Sequence, residues 1–121
     1  MMKLPVSAPF HSPLMEPAQR AMTPVLNALD FKAPVCPLVN NVDAAPATDA
    51  ETLRQGLIRQ ISGAVRWEAI MKYLLGQNVT RFVELGPGKV LSGIATRMAK
   101  EAGVEVKAIS IGSPEDEVGF T

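Results

Sequence analysis

The feature that most constrains this chain is a pattern in its second half. Arg81-Phe82-Val83-Glu84-Leu85 reads as a short strand, and Gly86-Pro87-Gly88 as a tight turn. Val90, Leu91, Ile94, Ala95 and Met98 then recur at helical spacing up to Gly103, and Val104 to Ile111 is a second run rich in Val and Ile. Strand, helix and strand joined by such short loops predict parallel strands with the helix as their crossover.

The upstream residues extend this scheme. Residues 4 to 12 carry Pro5 and Pro9, which push the residues before them towards extended conformations. Ser12-Pro13 reads as a helix start, with Ser12 as N-cap and Pro13 at the first helical position. Leu14, Ala18, Met22, Val25, Leu26 and Leu29 form its apolar stripe, and Pro24 is expected to bend or interrupt it. Val35 to Val39 reads as a short buried strand, with Cys36 as a small buried hydrophobe within it. Asn40 to Asp43 is a turn. Thr48-Asp49-Ala50-Glu51 has capping-box spacing and opens a helix with Leu53, Leu57, Ile58 and Ile61 on its apolar face, ended by Ser62-Gly63. A further helix is expected from Val65 to Leu75, closed by Gly76, with Trp67, Ile70, Met71, Leu74 and Leu75 on one side.

The fold class this predicts is α/β, a partial three-layer arrangement on a parallel sheet. Residues 1–112 form the structured part and 113–121, with Glu115-Asp116-Glu117, a polar tail. Three strands make a thin sheet with edges to cover, so the sheet is expected to continue in sequence outside these 121 residues.

Charge and motifs narrow the function. Twelve basic and twelve acidic residues cancel, leaving no positive excess to hold a phosphate backbone, so nucleic acid is not an expected partner. No run approaches the ~20 apolar residues a membrane span needs, and the N-terminus lacks the apolar core of a signal peptide, so a cytoplasmic protein is expected. The lone cysteine excludes an internal disulfide and a cysteine metal cluster. The segment around Gly86-Pro87-Gly88-Lys89 is not a phosphate loop. Val83 stands where the first glycine belongs, and Val90 where Ser or Thr should follow the lysine. Leu91 likewise replaces the last glycine of a dinucleotide fingerprint.

Two polar residues remain as candidates. His11, the only histidine, lies between an extended segment and a helix start. It suits proton transfer near neutral pH, or a solvated or structurally hydrogen-bonded loop position. Gln60 flanks an apolar helix face, about 60° from Leu57. It reads as a satisfied boundary amide, or as a group that orients another.

Four segments together resemble the C-terminal portion of the malonyl-CoA:acyl-carrier-protein transacylases of fatty-acid synthesis. They are Leu4-Pro5-Val6-Ser7-Ala8-Pro9-Phe10-His11-Ser12-Pro13-Leu14-Met15, Val39-Asn40-Asn41-Val42-Asp43-Ala44, Leu57-Ile58-Arg59-Gln60-Ile61 through Val65-Arg66-Trp67, and Val83-Glu84-Leu85-Gly86-Pro87-Gly88-Lys89-Val90-Leu91. The resemblance implies the C-terminal part of an α/β-hydrolase-like acyltransferase large subdomain, about the last two-fifths of such an enzyme. The family's serine, in a Gly-His-Ser-Leu-Gly motif, and its malonyl-gripping arginine have no counterpart in these residues. His11 matches the histidine that activates the serine. Gln60 matches the residue whose main-chain carbonyl orients that histidine. Phe10 matches the bulky residue beside it in malonyl-selective members. Malonyl-CoA and acyl carrier protein are the implied substrate and partner, with no metal or redox cofactor. The chain alone is expected to be inactive. A non-catalytic interaction module, one half of a split enzyme completed by an N-terminal half with the nucleophile, and the acyltransferase region of a polyketide synthase stand as alternatives.

Overall fold

The computed structural model describes residues 8–115. The residues before Ala8, where the sequence predicts an extended segment, and those from 116 onward, most of the expected polar tail, lie outside this range. The chain divides into two compact units, Met1–Ile70 and Met71–Thr121.

The first unit is built on two helices. A single 3-10 turn, Pro13–Met15, leads into α1, Glu16–Ala28. Ser12 stands at the cap position of that turn with extended backbone, but its hydroxyl donates to the Pro9 carbonyl at 2.7 Å instead of capping. Pro24 does not interrupt α1. A proline forfeits one hydrogen bond and crowds the Arg20 carbonyl, yet its fixed φ suits a helix. The turn beyond it is kept by packing of α1 on the next helix, with Leu26 buried. Much of the expected apolar stripe is open: Leu14, Met22, Val25 and Leu29 are exposed.

Val35 to Val39 does not form a buried strand. Only Leu38–Val39 (β1) pairs, antiparallel, with Pro46–Ala47 (β2). Pro34 and Pro37 carry no N–H, so the run around Val35 has too few donors for a ladder. Val35 is fully exposed at 107%, and Cys36 is exposed rather than buried. The helix α2, Ala50–Gln60, begins one residue later than the capping-box reading places it. Asp49 is the cap, and its carboxylate accepts from the Thr52 amide at 2.8 Å and the Thr52 hydroxyl at 2.7 Å. Aspartate is as good a cap as threonine, and here it competes successfully from the next position.

The helix α3, Trp67–Gly76, spans the boundary between the units. Gly76 is its last residue, but the chain is turned by Asn78, at φ 61°. The Asn78 amide bonds the Leu75 carbonyl and the Val79 amide the Leu74 carbonyl, both at 3.1 Å. Asparagine thus fills the left-handed position usually given to glycine. Met71 is fully buried at 0%, and Ile70 is buried beside it.

The second unit is the strand–helix–strand motif. β3 (Arg81–Leu85) and β4 (Lys107–Ile111) are parallel, with Val83 opposite Ile109 and Glu84 opposite Ser110. α4, Val90–Glu101, packs on both, with Ala95 and Ala99 buried. Gly86 and Gly88 take φ of 128° and 89°, angles that side-chain-bearing residues avoid, which lets the chain turn sharply from strand to helix. β4 begins at Lys107 rather than Val104. The Val104 amide is spent on the Ala99 carbonyl at 2.9 Å while Gly103, at φ 72°, bonds Lys100, so residue 104 closes α4 and is not free to join the sheet. Among the described residues the strands form two small sheets, one antiparallel and one parallel, in place of one three-stranded parallel sheet. No helix of the described residues is long and apolar enough to cross a membrane.

Candidate functional site

His11 sits at the tip of a tight local structure. The Phe10 amide bonds the Ala8 carbonyl at 2.9 Å, the Ser12 hydroxyl bonds Pro9, and the Met15 amide bonds the Ser12 carbonyl at 2.9 Å. These contacts hold His11 at φ 57°, a left-handed conformation that costs a non-glycine residue on the order of 1–3 kcal/mol. The imidazole is exposed and faces the C-terminal end of α2. Its Nδ1 lies 2.9 Å from the main-chain oxygen of Gln60, 49 residues away in sequence.

That oxygen is available for a reason of helix geometry. The last four carbonyls of a helix have no partner within it. Gln60 is the final residue of α2. The Ile61 amide turns back to Ile58 and the Gly63 amide to Arg59, which leaves the Gln60 carbonyl to the histidine. A carbonyl only accepts, so the contact places the proton of a neutral ring on Nδ1. Nε2 is then the free lone pair, able to take a proton from a hydroxyl or thiol. Phe10, beside it, is 56% exposed.

The turn Asn40–Asp43 backs onto the same end of α2. Asn40 is buried at 7% exposure. Its Oδ1 accepts from the Val42 amide at 3.1 Å and the Asp43 amide at 2.7 Å, and its Nδ2 donates to the Asp43 carboxylate at 3.0 Å. Arg59 pairs with the same carboxylate. The Arg66 guanidinium reaches the Asp43 carbonyl at 3.1 Å, and the Arg66 amide bonds the Asn41 carbonyl at 2.8 Å. Asp43 is held below the usual carboxylate range, first by the Asn40 amide and then by Arg59 and Arg66. Residue type and spacing alone assign no role to Asn40 or Asn41. A glycine inside a helix, Gly56, was the available signal, since such a residue usually marks a close approach.

A second polar cluster lies in the other unit. The Glu84 carboxylate accepts from the amides of Leu91, at 3.1 Å, and Ser92, at 2.8 Å, the first-turn donors of α4. The Ser92 hydroxyl also donates to it at 2.8 Å and lies 2.9 Å from the Ser110 hydroxyl. Glu84 is therefore held below its ordinary pKa, chiefly by the Ser92 amide. This ties β3, β4 and the start of α4 together and agrees with a structural role for the glycine turn. The signal was a carboxylate on the more covered face of a strand, where an apolar side chain is expected. Among the described residues no group of three or more His, Cys, Asp or Glu is placed to hold a metal ion.

No family model matches the chain. Individual relatives do. The malonyl CoA-acyl carrier protein transacylase of Bacillus subtilis is 40% identical over 112 residues, which are 93% of this chain and 34% of that protein. The crystal structure of the acyl-carrier-protein S-malonyltransferase of Bartonella henselae matches with a TM-score of 0.80 at 41% identity, over 93% of this chain and 34% of that one. A malonyl-transacylase solved in complex with a type II polyketide synthase acyl-carrier protein matches with a TM-score of 0.80 at 35% identity, over 91% of this chain and 34% of that one. The chain thus spans about a third of the length of the relatives it matches. The chain is mixed α/β, it sets an exposed histidine on a helix-end carbonyl, and its structural neighbours are acyltransferases. The chain matches the C-terminal portion of the malonyl-CoA:acyl-carrier-protein transacylases, at 40% identity to the Bacillus subtilis protein.

Proposed function

We propose that this chain is the part of a malonyl-CoA:acyl-carrier-protein S-malonyltransferase of fatty-acid biosynthesis that supplies the general base, His11. The observation that carries the reading is the 2.9 Å contact between His11 Nδ1 and the Gln60 carbonyl, with Nε2 left free. In this reading a serine outside these 121 residues gives its proton to Nε2 as its oxygen attacks the malonyl thioester. The tetrahedral adduct collapses, and the departing coenzyme A thiolate takes that proton from Nε2. In the second half the thiol of acyl carrier protein gives its proton to Nε2 and attacks the malonyl ester, and the serine oxygen leaves with the proton. The Gln60 carbonyl holds the ring in one tautomer, the task an aspartate performs in a charged triad. While Nε2 is protonated, the positive ring lies at the carbonyl end of α2, where the helix dipole is negative. Phe10 crowds an α-methyl branch and favours malonyl over methylmalonyl. The parallel pair β3–β4 is then a piece of a larger three-layer, α/β-hydrolase-like parallel-sheet scaffold, and no metal or redox cofactor takes part. The relative solved with an acyl-carrier protein supports that partner, and the setting in this reading is cytoplasmic.

The test is a chimera. The Bacillus subtilis relative, with its matching C-terminal region replaced by this sequence, should transfer malonyl from coenzyme A to acyl carrier protein. His11→Ala in the chimera should reduce kcat by a factor on the order of a thousand or more. A chimera that is active and indifferent to His11→Ala would sink the proposal.

A further inference from the structure

The Gln60 carbonyl is a main-chain atom at the end of a helix, so its position is set by whatever fixes that end. Hydrogen bonds within α2 hold the helix to itself. They do not place its last turn relative to a loop 49 residues away. The turn Asn40–Asp43 meets α2 and the residues after it at four points, two before Gln60 and two beyond.

Gly56 packs so closely on Asn40 that a Cβ there would overlap the Asn40 amide nitrogen. Arg59, one turn on, pairs with the Asp43 carboxylate. Gly63 packs on Val42, where a Cβ would stand 2.6 Å from the valine Cγ2. Arg66 is bonded to the turn through both its amide and its guanidinium. Residues 56, 59 and 63 fall on one side of the helix line, by the spacing of neighbouring turns. Asn40 itself has no slack. Its oxygen holds two amides and its nitrogen the Asp43 carboxylate, in a buried setting where a fully satisfied polar network defines a single geometry.

We propose that the Asn40–Asp43 turn positions the catalytic pair, with Asn40, Asp43 and Arg59 as positioning residues that fix where the Gln60 carbonyl stands and thereby which tautomer His11 adopts. The inference rests on the reading of His11 as the base. The tolerance is small: lengthening a 2.9 Å contact by 1 Å takes it beyond any hydrogen bond. None of these residues touches the ring, so their effect on it passes through the helix end.

The experiment uses the fact that His11 is the only histidine in the chain. In the 15N-labelled 121-residue protein, at a pH where the imidazole is neutral, long-range proton–nitrogen correlation spectra report which ring nitrogen carries the proton. The wild type should show mainly Nδ1–H. Arg59→Gln and Asp43→Ala should lower the Nδ1–H to Nε2–H ratio roughly three- to tenfold, the worth of one hydrogen bond of ordinary net strength. Arg59→Lys, which keeps the ion pair, should restore most of it. Glu51→Gln, at the far end of α2 and paired with Arg54, should leave the ratio unchanged while perturbing the helix to a similar degree. Should Asp43→Ala fail to fold, Arg59→Gln decides, because the Arg59 side chain is about half exposed and its loss leaves no buried hole. Folded turn variants with a wild-type ratio overturn the positioning role. A wild type already dominated by Nε2–H overturns instead the orientation of the catalytic pair itself.

Discussion

Replacing Gly56 by alanine sets two rules against each other. Gly56 lies in the interior of α2. In an open helix alanine is favoured there by about 1 kcal/mol, because glycine loses more backbone freedom on folding. In this structure the new methyl would overlap the Asn40 amide nitrogen and lie 3.3 Å from Asn40 Cγ. The amide group is not a flexible tip that swings aside, since it holds the Val42 and Asp43 amides and the Asp43 carboxylate. Either the turn backs away from the helix, an overpacking cost of about 1–3 kcal/mol, or one or two of those bonds break at about 1 kcal/mol each. The unfavourable side comes to about 1–3 kcal/mol against a gain of about 1, so Gly56→Ala should destabilise by about 1 kcal/mol, within a range of about 0–2, in place of the gain of about 1 that an open helix would give. Urea unfolding followed by helical circular dichroism measures this as a lower midpoint with an unchanged slope. A variant more stable than the parent by about 1 kcal/mol, the open-helix outcome, would refute the claim that Asn40 and α2 are in close contact.

Four further outcomes are expected. Glu84→Gln should lower the thermal midpoint and flatten its acid dependence. The fold depresses the Glu84 pKa from its ordinary 4.5, so its contribution is complete above that value and is lost as pH falls through the lower folded value; identical melting-versus-pH curves for parent and variant would contradict this. Met71→Ala should cost about 2–5 kcal/mol in chemical unfolding, the usual range for emptying a fully buried methionine site. Asn78→Ala should destabilise by about 1 kcal/mol, because alanine tolerates the left-handed conformation less well, whereas Asn78→Gly should be neutral or stabilising. Gln60→Ala should leave the His11 ring signals close to those of the parent, since the contact uses the main-chain oxygen.

Local chemistry was the legible part of this sequence. The strand Arg81–Leu85, the glycine turn, α4 and the parallel partner strand follow from periodicity and turn residues that lie within a few positions of one another. What failed to show in advance depends on competition for backbone donors. Val104 reads as strand by residue type, yet its amide is claimed by the end of α4. Val35 is as β-prone as any residue in the chain, yet Pro34 and Pro37 leave it nothing to pair with. The apolar neighbours of Cys36 predict burial, yet it stands exposed on the same unpaired run. Periodicity predicts an apolar stripe on α1, but it does not say what covers it, and Met22 and Val25 stand exposed. The candidate site was visible through family resemblance, not through physics alone: His11 is an ordinary loop histidine until Gln60 is known to lie beside it.

The pairing of His11 with Gln60 explains that limit. In a charged triad the group that orients the histidine is a carboxylate, and its residue type announces it. Here the orienting atom is a carbonyl, which every residue possesses. What distinguishes Gln60 is place: it ends α2, its neighbours' carbonyls at 58 and 59 are taken by the amides of Ile61 and Gly63, and its own points outward. A neutral orienter adds no charge to the site, and a side-chain substitution does not remove it. Its precision must then come from rigid placement of the helix end, and the residues that supply placement lie where the turn and the helix meet, at Asn40, Asp43, Gly56, Arg59 and Gly63. Changes at Gly56, Gly63 or the buried Asn40 should therefore disturb the histidine, although none of them touches it.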